Sequence, residues 1–479
     1  MLWRDLITAN HERPLGLVYL TLTGAASGTD PELHALWGFL THLACVVSVF
    51  FLARALGMGT LPAAVLGLLV MVFPFSDSIW LWYSASHASI AIALAACGAL
   101  LALRGLRGQR AWPWHLGAAA AFAASVLTYQ VIAITVLLMV AIYWPRTDRR
   151  TALLLWAKDI AAVVAAVLIP SLIAGHRGIN AAPLVDSVAD GLDHAELILD
   201  QGFTLLARSL VPFGTPTREV VLAVAVVILL GGVVQASRAA GEAADHAHRW
   251  LGWALAGVGI VITGYVIYVP AVARFYMPLA GGSDNRINAL TGIGFALVAL
   301  ALAMLVAGFL LNSRRWPRRW TPVLAAALVL PIAIGYYQRV DDDIDDWSRA
   351  ADEQAEQLAQ LREIGRPPAD TTDYVYGGVG QTAPRVFAFG VTWDLHAATQ
   401  IAWDDYPLRA FPIFHGTRMI CEPTHVVPKG PANGIGPTQG GIYPNVLFTD
   451  LRTGERVRVR NEADCERAAE RFEPGPATG

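Results

Sequence analysis

In a chain of 479 residues that is 55% hydrophobic and 15% charged, each polar group set in an apolar stretch needs a reason. Arg13, Arg274 and Arg286 border such stretches. A guanidinium fork matches phosphate through paired hydrogen bonds, and the same side chain also serves as an interfacial anchor whose head snorkels to water. Arg274 fits the anchor, whereas for Arg286, beside Asp284 and Asn285 and close to Tyr276, both uses stand. The stretch Ser76-Asp77-Ser78-Ile79-Trp80-Leu81-Trp82-Tyr83, followed by His87, offers a carboxylate and an imidazole for an acceptor hydroxyl or a divalent metal. Its aromatic residues suit a sugar or head-group surface, and equally an interfacial belt. His42 lies within an apolar helix and must either bond a neighbouring helix or sense a phosphate. Glu12 sits beside Arg13, where a local ion pair is its simplest use.

Long Ala/Val/Leu stretches must carry these groups as far as about Gln338, after which Asp, Glu, Pro and Gly dominate. Apolar runs fit membrane helices over Leu33–Ala55, Leu61–Phe75, Ala88–Leu103, Ala152–Ala174, Glu219–Ala236, Leu251–Pro270, Asn288–Asn312 and Thr321–Gln338. The clusters Arg104/Arg107/Arg110, Arg146/Arg149/Arg150, Arg238/Arg249 and Arg314/Arg315/Arg318/Arg319 are placed on the cytoplasmic side by the positive-inside rule. His115–Trp144 has such a cluster at both ends, so it must go in and return, with a structural turn near Thr128-Tyr129-Gln130. The expected fold is a polytopic α-helical membrane protein of about ten transmembrane helices with a small C-terminal α/β domain outside the cytoplasm. Residues 1–32 form an outer segment, 33–338 the membrane body and 339–479 the extracytoplasmic domain. Pro14–Ala26 is either a short span or an interfacial helix.

In the tail, Asp341-Asp342-Asp343-Ile344-Asp345-Asp346 lacks the spacing and glycine of a calcium loop and reads as the solvated start of a helix. Ile344, Trp347, Ala351, Leu358 and Leu361 give that helix an apolar face, and Gly365-Arg366-Pro367-Pro368 ends it. Strand-like runs such as Val386–Phe389 then alternate with helical ones such as Leu395–Ala402, and Pro428–Gly441 reads as a loop. Cys45 and Cys97 lie in apolar helices as small hydrophobes, whereas Cys421 and Cys465 are expected to pair in an oxidising compartment. No CxxC or Cys/His spacing indicates a resident metal, and nothing in the charge pattern suggests nucleic acid as a partner.

Arg13-Pro14-Leu15-Gly16, then Pro31-Glu32-Leu33-His34 and a span containing His42 and ending Phe51-Leu52-Ala53-Arg54-Ala55-Leu56, resembles the first luminal loop and second helix of GT-C glycosyltransferases. The likeness is to the protein mannosyltransferase and aminoarabinose transferase relatives. Tyr129-Gln130 stands where relatives often carry Tyr-Glu. Tyr276-Met277-Pro278 and Asn285-Arg286-Ile287-Asn288 look like outer-loop elements, and Asp346–Leu361 like a post-membrane helix. The resemblance implies that the family's first helix is missing before Met1 and that Asp5 stands for the catalytic loop carboxylate. It implies a donor phosphate held by Arg13 and Arg286, with Arg274 at the same face. The substrate would be a polyprenyl-phosphate-linked sugar in the membrane lipid, and the acceptor a glycan, lipid or protein.

A non-catalytic scaffold of the same fold is the alternative, as is a transporter of lipid-linked or envelope components, although no inverted repeat of the kind transporters use is visible. Reporter fusions test the topology: a fusion after Gln338 is expected to be active only outside the cytoplasm of the plasma membrane, and a cytoplasmic signal there would reverse the assignment.

Overall fold

The computed structural model describes residues 13–28, 30–108, 111–174, 187–213, 217–238, 241–270, 277–313, 316–377, 386, 389, 392–403, 408–413, 417–429 and 440–472. Asp5, Glu12, Arg274 and Tyr276 lie outside the described residues, as does most of Val386–Phe389. The chain divides into two compact units, Met1–Asp343 and Ile344–Gly479.

The first unit is helical. Helix α1 (Pro14–Ser27) starts on a proline, which loses nothing at a position whose N–H has no helical partner. Helix α2 (Pro31–Ala55) repeats the device and adds a cap, the Asp30 carboxylate accepting from the backbone N–H of Glu32 at 2.9 Å. The short α3 (Thr60–Met71) leads into irregular backbone from Phe73 to Ser86, and α4 (His87–Arg107) follows.

Helix α5 (Ala111–Thr128) ends at Tyr129, whose backbone is extended, and a 3-10 segment (Gln130–Leu138) and a last helical turn (Met139–Tyr143) run on from it. The rings of His115 and Tyr143 lie 6.5 Å apart, so the chain returns to the level at which it entered. Trp156 of α6 (Arg149–Ala174) ties the returning half down through its Nε1, which donates to the Leu137 carbonyl at 3.1 Å. The charge pattern had required such a return.

Helix α7 (Val188–Leu210) occupies a stretch where the sequence reading placed no element. Its cap is Ser187, and its buried stripe runs through His194, Ile198, Gly202 and Leu205. Then come α8 (Arg218–Arg238), α9 (Glu242–Val266) and α10 (Ala289–Ser313). Helix α10 is the centre of the bundle, buried at every residue from Ala289 to Leu305. It crosses α9 at Gly257 and Gly294, where a Cβ on Gly257 would stand 2.9 Å from the Gly294 carbonyl oxygen. Small residues permit this approach of two backbones.

Among the described residues seven helices are long and apolar enough to cross a membrane, and Pro14–Ser27, Thr60–Met71 and Gln130–Tyr143 are shorter apolar ones. The last long one, α11, runs unbroken from Thr321 to Ile364. The acidic run therefore lies in mid-helix and not at a helix start, and Asp343 and Asp346 within it are buried instead of solvated. Helix α11 ends where Gly365 takes a positive φ of 100°.

The second unit is α/β. Strands β1 (Thr372–Tyr376), β2 (Arg409–Pro412), β6 (Val446–Asp450) and β7 (Glu455–Val459) form a sheet in the order β2-β1-β6-β7, with β1 parallel to both neighbours and β7 antiparallel to β6. Helix α12 (Thr392–Ala402) connects β1 to β2. A second, antiparallel sheet holds β3 (Arg418–Cys421), β4 (His425–Lys429) and β5 (Gly441–Ile442), so the expected Pro428–Gly441 loop is strand at both of its ends. Tyr374, Phe448 and Phe472 fill the core under α13 (Glu462–Phe472), and Cys421 is joined to Cys465 there as expected. Asp373 is buried in β1, its carboxylate bonded by the Thr449 hydroxyl at 2.7 Å and paired with Arg456 at 3.4 Å.

One contact positions the irregular segment against α2. The Trp80 carbonyl occupies the space that a Cβ on Gly38 would need. Gly38→Ala is expected to destabilise the protein by about 1–3 kcal/mol, because backbone must move on both sides. Gly252→Ala, with nothing within 4 Å, should be neutral or slightly stabilising. Equal thermal melting of the two variants in detergent would count against this packing.

Candidate functional site

Of the polar groups singled out above, Arg13, Asp77, His87 and Arg286 gather at the end of the bundle opposite Arg104 and Arg107, the end where α4 begins. The segment Phe73–Ser86 organises them. Helix α1 is bound to it: Tyr19 and Ser86 share a hydrogen bond of 2.8 Å, and the Tyr83 hydroxyl donates to the Leu20 carbonyl at 2.9 Å. Gly16 lets α1 settle onto the break after α5, since a Cβ there would lie 2.7 Å from the Thr128 carbonyl oxygen and 3.5 Å from the His87 ring.

That seating brings Arg13 over Tyr129, with 4.5 Å between guanidinium carbon and ring centroid. The His87 ring meets Tyr129 edge-on at 5.0 Å. Arg286, from the 3-10 turn Ser283–Asn288, lies over Trp82 at 5.3 Å. Both arginines act electrostatically on the buried His87, whose ring nitrogens make no side-chain hydrogen bond among the described residues and lie beside the backbone at Ser84. Two half-buried guanidiniums stacked on aromatic rings around one imidazole form a cationic, aromatic-walled surface. Its chemistry suits phosphate.

Beneath it lies a buried carboxyl pair. Asp77 is fully enclosed; one oxygen accepts from the Asn285 side-chain amide, and its carboxyl meets that of Asp343. The Asn285 carbonyl oxygen in turn accepts from the backbone N–H of Ser78 at 3.2 Å. Arg339, one turn before Asp343 on α11, pairs with it at 3.3 Å. Burial first, and then the charge of Asp343, push the Asp77 carboxyl well above the usual carboxylate range, while Asn285 and the Ser78 N–H pull the other way. Asn288 completes the frame by donating to the carbonyls of Phe75 at 2.7 Å and Leu279 at 2.8 Å.

The structure thus brings together Arg13, His87 and Arg286 and links Asp77 to them through Asn285. His42 is buried and stacks on Trp80 at 6.2 Å, beside the backbone of Val70 and Met71. Tyr129, read from sequence as part of a turn, is a wall of the site as well. Asp343 was missed because it sits among four other aspartates. Helical spacing carried the signal, for Asp343 falls on the same face as Val340 and Trp347.

A second polar cluster that sequence reasoning did not find lies at the other end. The Tyr143 hydroxyl donates to the buried Asp159, which pairs with Lys158 at 3.0 Å, and the Lys158 ammonium donates to the His115 carbonyl at 2.7 Å. Among the described residues no group of three or more His, Cys, Asp or Glu side chains is arranged to hold a metal ion.

Comparison with known proteins finds no matching family model and no matching curated protein.

The displaced proton affinity of Asp77 makes stability depend on pH. The folded state holds this proton more tightly than the unfolded chain does, so its contribution is complete below about pH 4 and is lost as pH rises through the elevated value. Asp77→Asn keeps a neutral acceptor for Asn285 and is expected to flatten this decline in thermal melts recorded upward from about pH 4. An unchanged slope would assign the dependence to another group.

Proposed function

We propose that this protein is a membrane glycosyltransferase of the GT-C type, moving a sugar from a polyprenyl-phosphate carrier to a glycan, lipid or protein acceptor at the outer face of the membrane. The observation that carries the reading is the convergence of Arg13 and Arg286 on one surface walled by Tyr129 and Trp82. In a body otherwise built of apolar helices, such a surface at one end of the bundle suits a lipid whose isoprenoid lies in the hydrocarbon and whose phosphate sits at the interface.

Transfer leaves the carrier as a phosphate whose developing charge the two guanidiniums stabilise, and the acceptor hydroxyl must give its proton to a base. Asp5 holds that role by resemblance. Asp77 has no exposure, so its part is to position: it fixes Asn285 and, through the next residue, Arg286. An arrangement of about ten crossings with the arginine-rich loops inside, the reading that the positive-inside rule supports, has this surface facing outside.

Membranes containing the full-length protein are supplied with radiolabelled polyprenyl-phosphate sugars. Arg286→Lys keeps the charge but loses the fork, and donor KM is expected to rise roughly 10- to 100-fold at unchanged expression. Asp5→Asn should lower turnover by about 10²–10⁴. The proposal fails if the wild-type protein binds and transfers from no such donor, or if Arg286→Lys leaves donor KM unchanged.

A further inference from the structure

The arginine-rich end of the bundle carries a groove of about 830 Å³ lined by Ala55, Cys97, Leu101, Arg104, Arg107 and Trp114. Its floor is apolar. Leu100, Leu101 and Leu103 line it, and Cys97 lies seven residues before Arg104, roughly 10 Å deeper along α4. Its rim is cationic. Arg104 stacks on Trp114 at 4.5 Å, and Arg107 donates to the Ala55 carbonyl at the end of α2 at 3.1 Å. Each guanidinium has five N–H donors, of which these contacts use few. Neither arginine forms an ion pair among the described residues, and no Asp or Glu lines the groove.

Snorkelling alone explains a lone arginine at a membrane surface. It does not explain two arginines one turn apart over a groove whose apolar floor runs toward the hydrocarbon. We infer that this groove binds an anionic phospholipid of the adjacent leaflet, its phosphate between Arg104 and Arg107 and the first part of one acyl chain along Leu101 and Cys97. A free phosphate would satisfy the rim and leave the floor bare; a zwitterionic lipid would fill the floor while bringing a cation to the rim. The site is separate from the Arg13 and Arg286 surface and does not depend on the proposed transfer.

Cys97 supplies the readout, because it is exposed while Cys45 is buried and Cys421 and Cys465 are joined. The full chain is placed in nanodiscs of phosphatidylcholine alone or of phosphatidylcholine with phosphatidylglycerol, and alkylation of Cys97 by N-ethylmaleimide is followed by intact mass. Phosphatidylglycerol is expected to slow alkylation by roughly fivefold or more, the factor 1 + [L]/Kd when the lipid stands several-fold above its dissociation constant. The slowing should vanish in Arg104→Gln/Arg107→Gln. Equal rates in the two lipids, persistence of the slowing in the double variant, or equal protection by inorganic phosphate in phosphatidylcholine discs would each overturn the inference. Should the double variant not fold, native mass spectrometry of the wild type decides: retained phosphatidylglycerol in preference to phosphatidylcholine supports the site, and no preference refutes it.

Discussion

One hydrogen bond, from the Asn285 amide to the enclosed carboxyl of Asp77, spans 208 residues of sequence and holds two connecting segments together. An enclosed carboxyl is costly without partners, and a side-chain amide left unpaired beside it would be costly as well. Each group therefore fixes the other. In Asn285-Arg286-Ile287-Asn288 both asparagines are spent on backbone, hydroxyl or carboxyl partners and Ile287 is buried, so Arg286 is the residue presented to Trp82. The polarity of the site is thus a consequence of how its scaffold satisfies itself.

Arg13 depends on the same scaffold by a different route. Helix α1 is held to the Phe73–Ser86 segment by Tyr19 and Tyr83, and it sits where Gly16 lets it meet the end of α5. The extended Tyr129 turns its ring toward both Arg13 and His87. A continuous helix through residues 115–144 could not supply that ring at this end of the bundle while also bringing Tyr143 back to His115.

Much of this was legible in the residues, and the boundary has a physical cause. Charge at the ends of His115–Trp144 required a return, and the apolar runs located the long helices, because both signals depend only on local composition against a membrane. The pairing of Cys421 with Cys465 was expected from two cysteines in one polar tail, apart from the apolar helices that hold Cys45 and Cys97. Helix α7 escaped notice because its burial is a stripe of single residues, interrupted by His194 and Gly202, within a polar stretch. Asp343 escaped because four other aspartates surround it; helical spacing marks its face, but no local pattern reports that Asp77 will meet it there. Arg13, His87, Asp77 and Arg286 could be proposed one at a time as polar groups near a surface; their convergence is a property of the fold alone.

The crossing of α9 and α10 carries a mechanical implication. At Gly257 and Gly294 the two backbones are in direct contact, with no side chains between them to ride over one another. Sliding either helix along its axis would drive the next side chain, Val261 or Val298, into the opposing backbone. The pair is also in close contact on either side of this point, where Gly264 meets Thr291 and the His246 ring meets Gly308 and bonds the Met304 carbonyl. Each helix then carries the other with it, and a load applied at one end of the pair is transmitted along both to the other end.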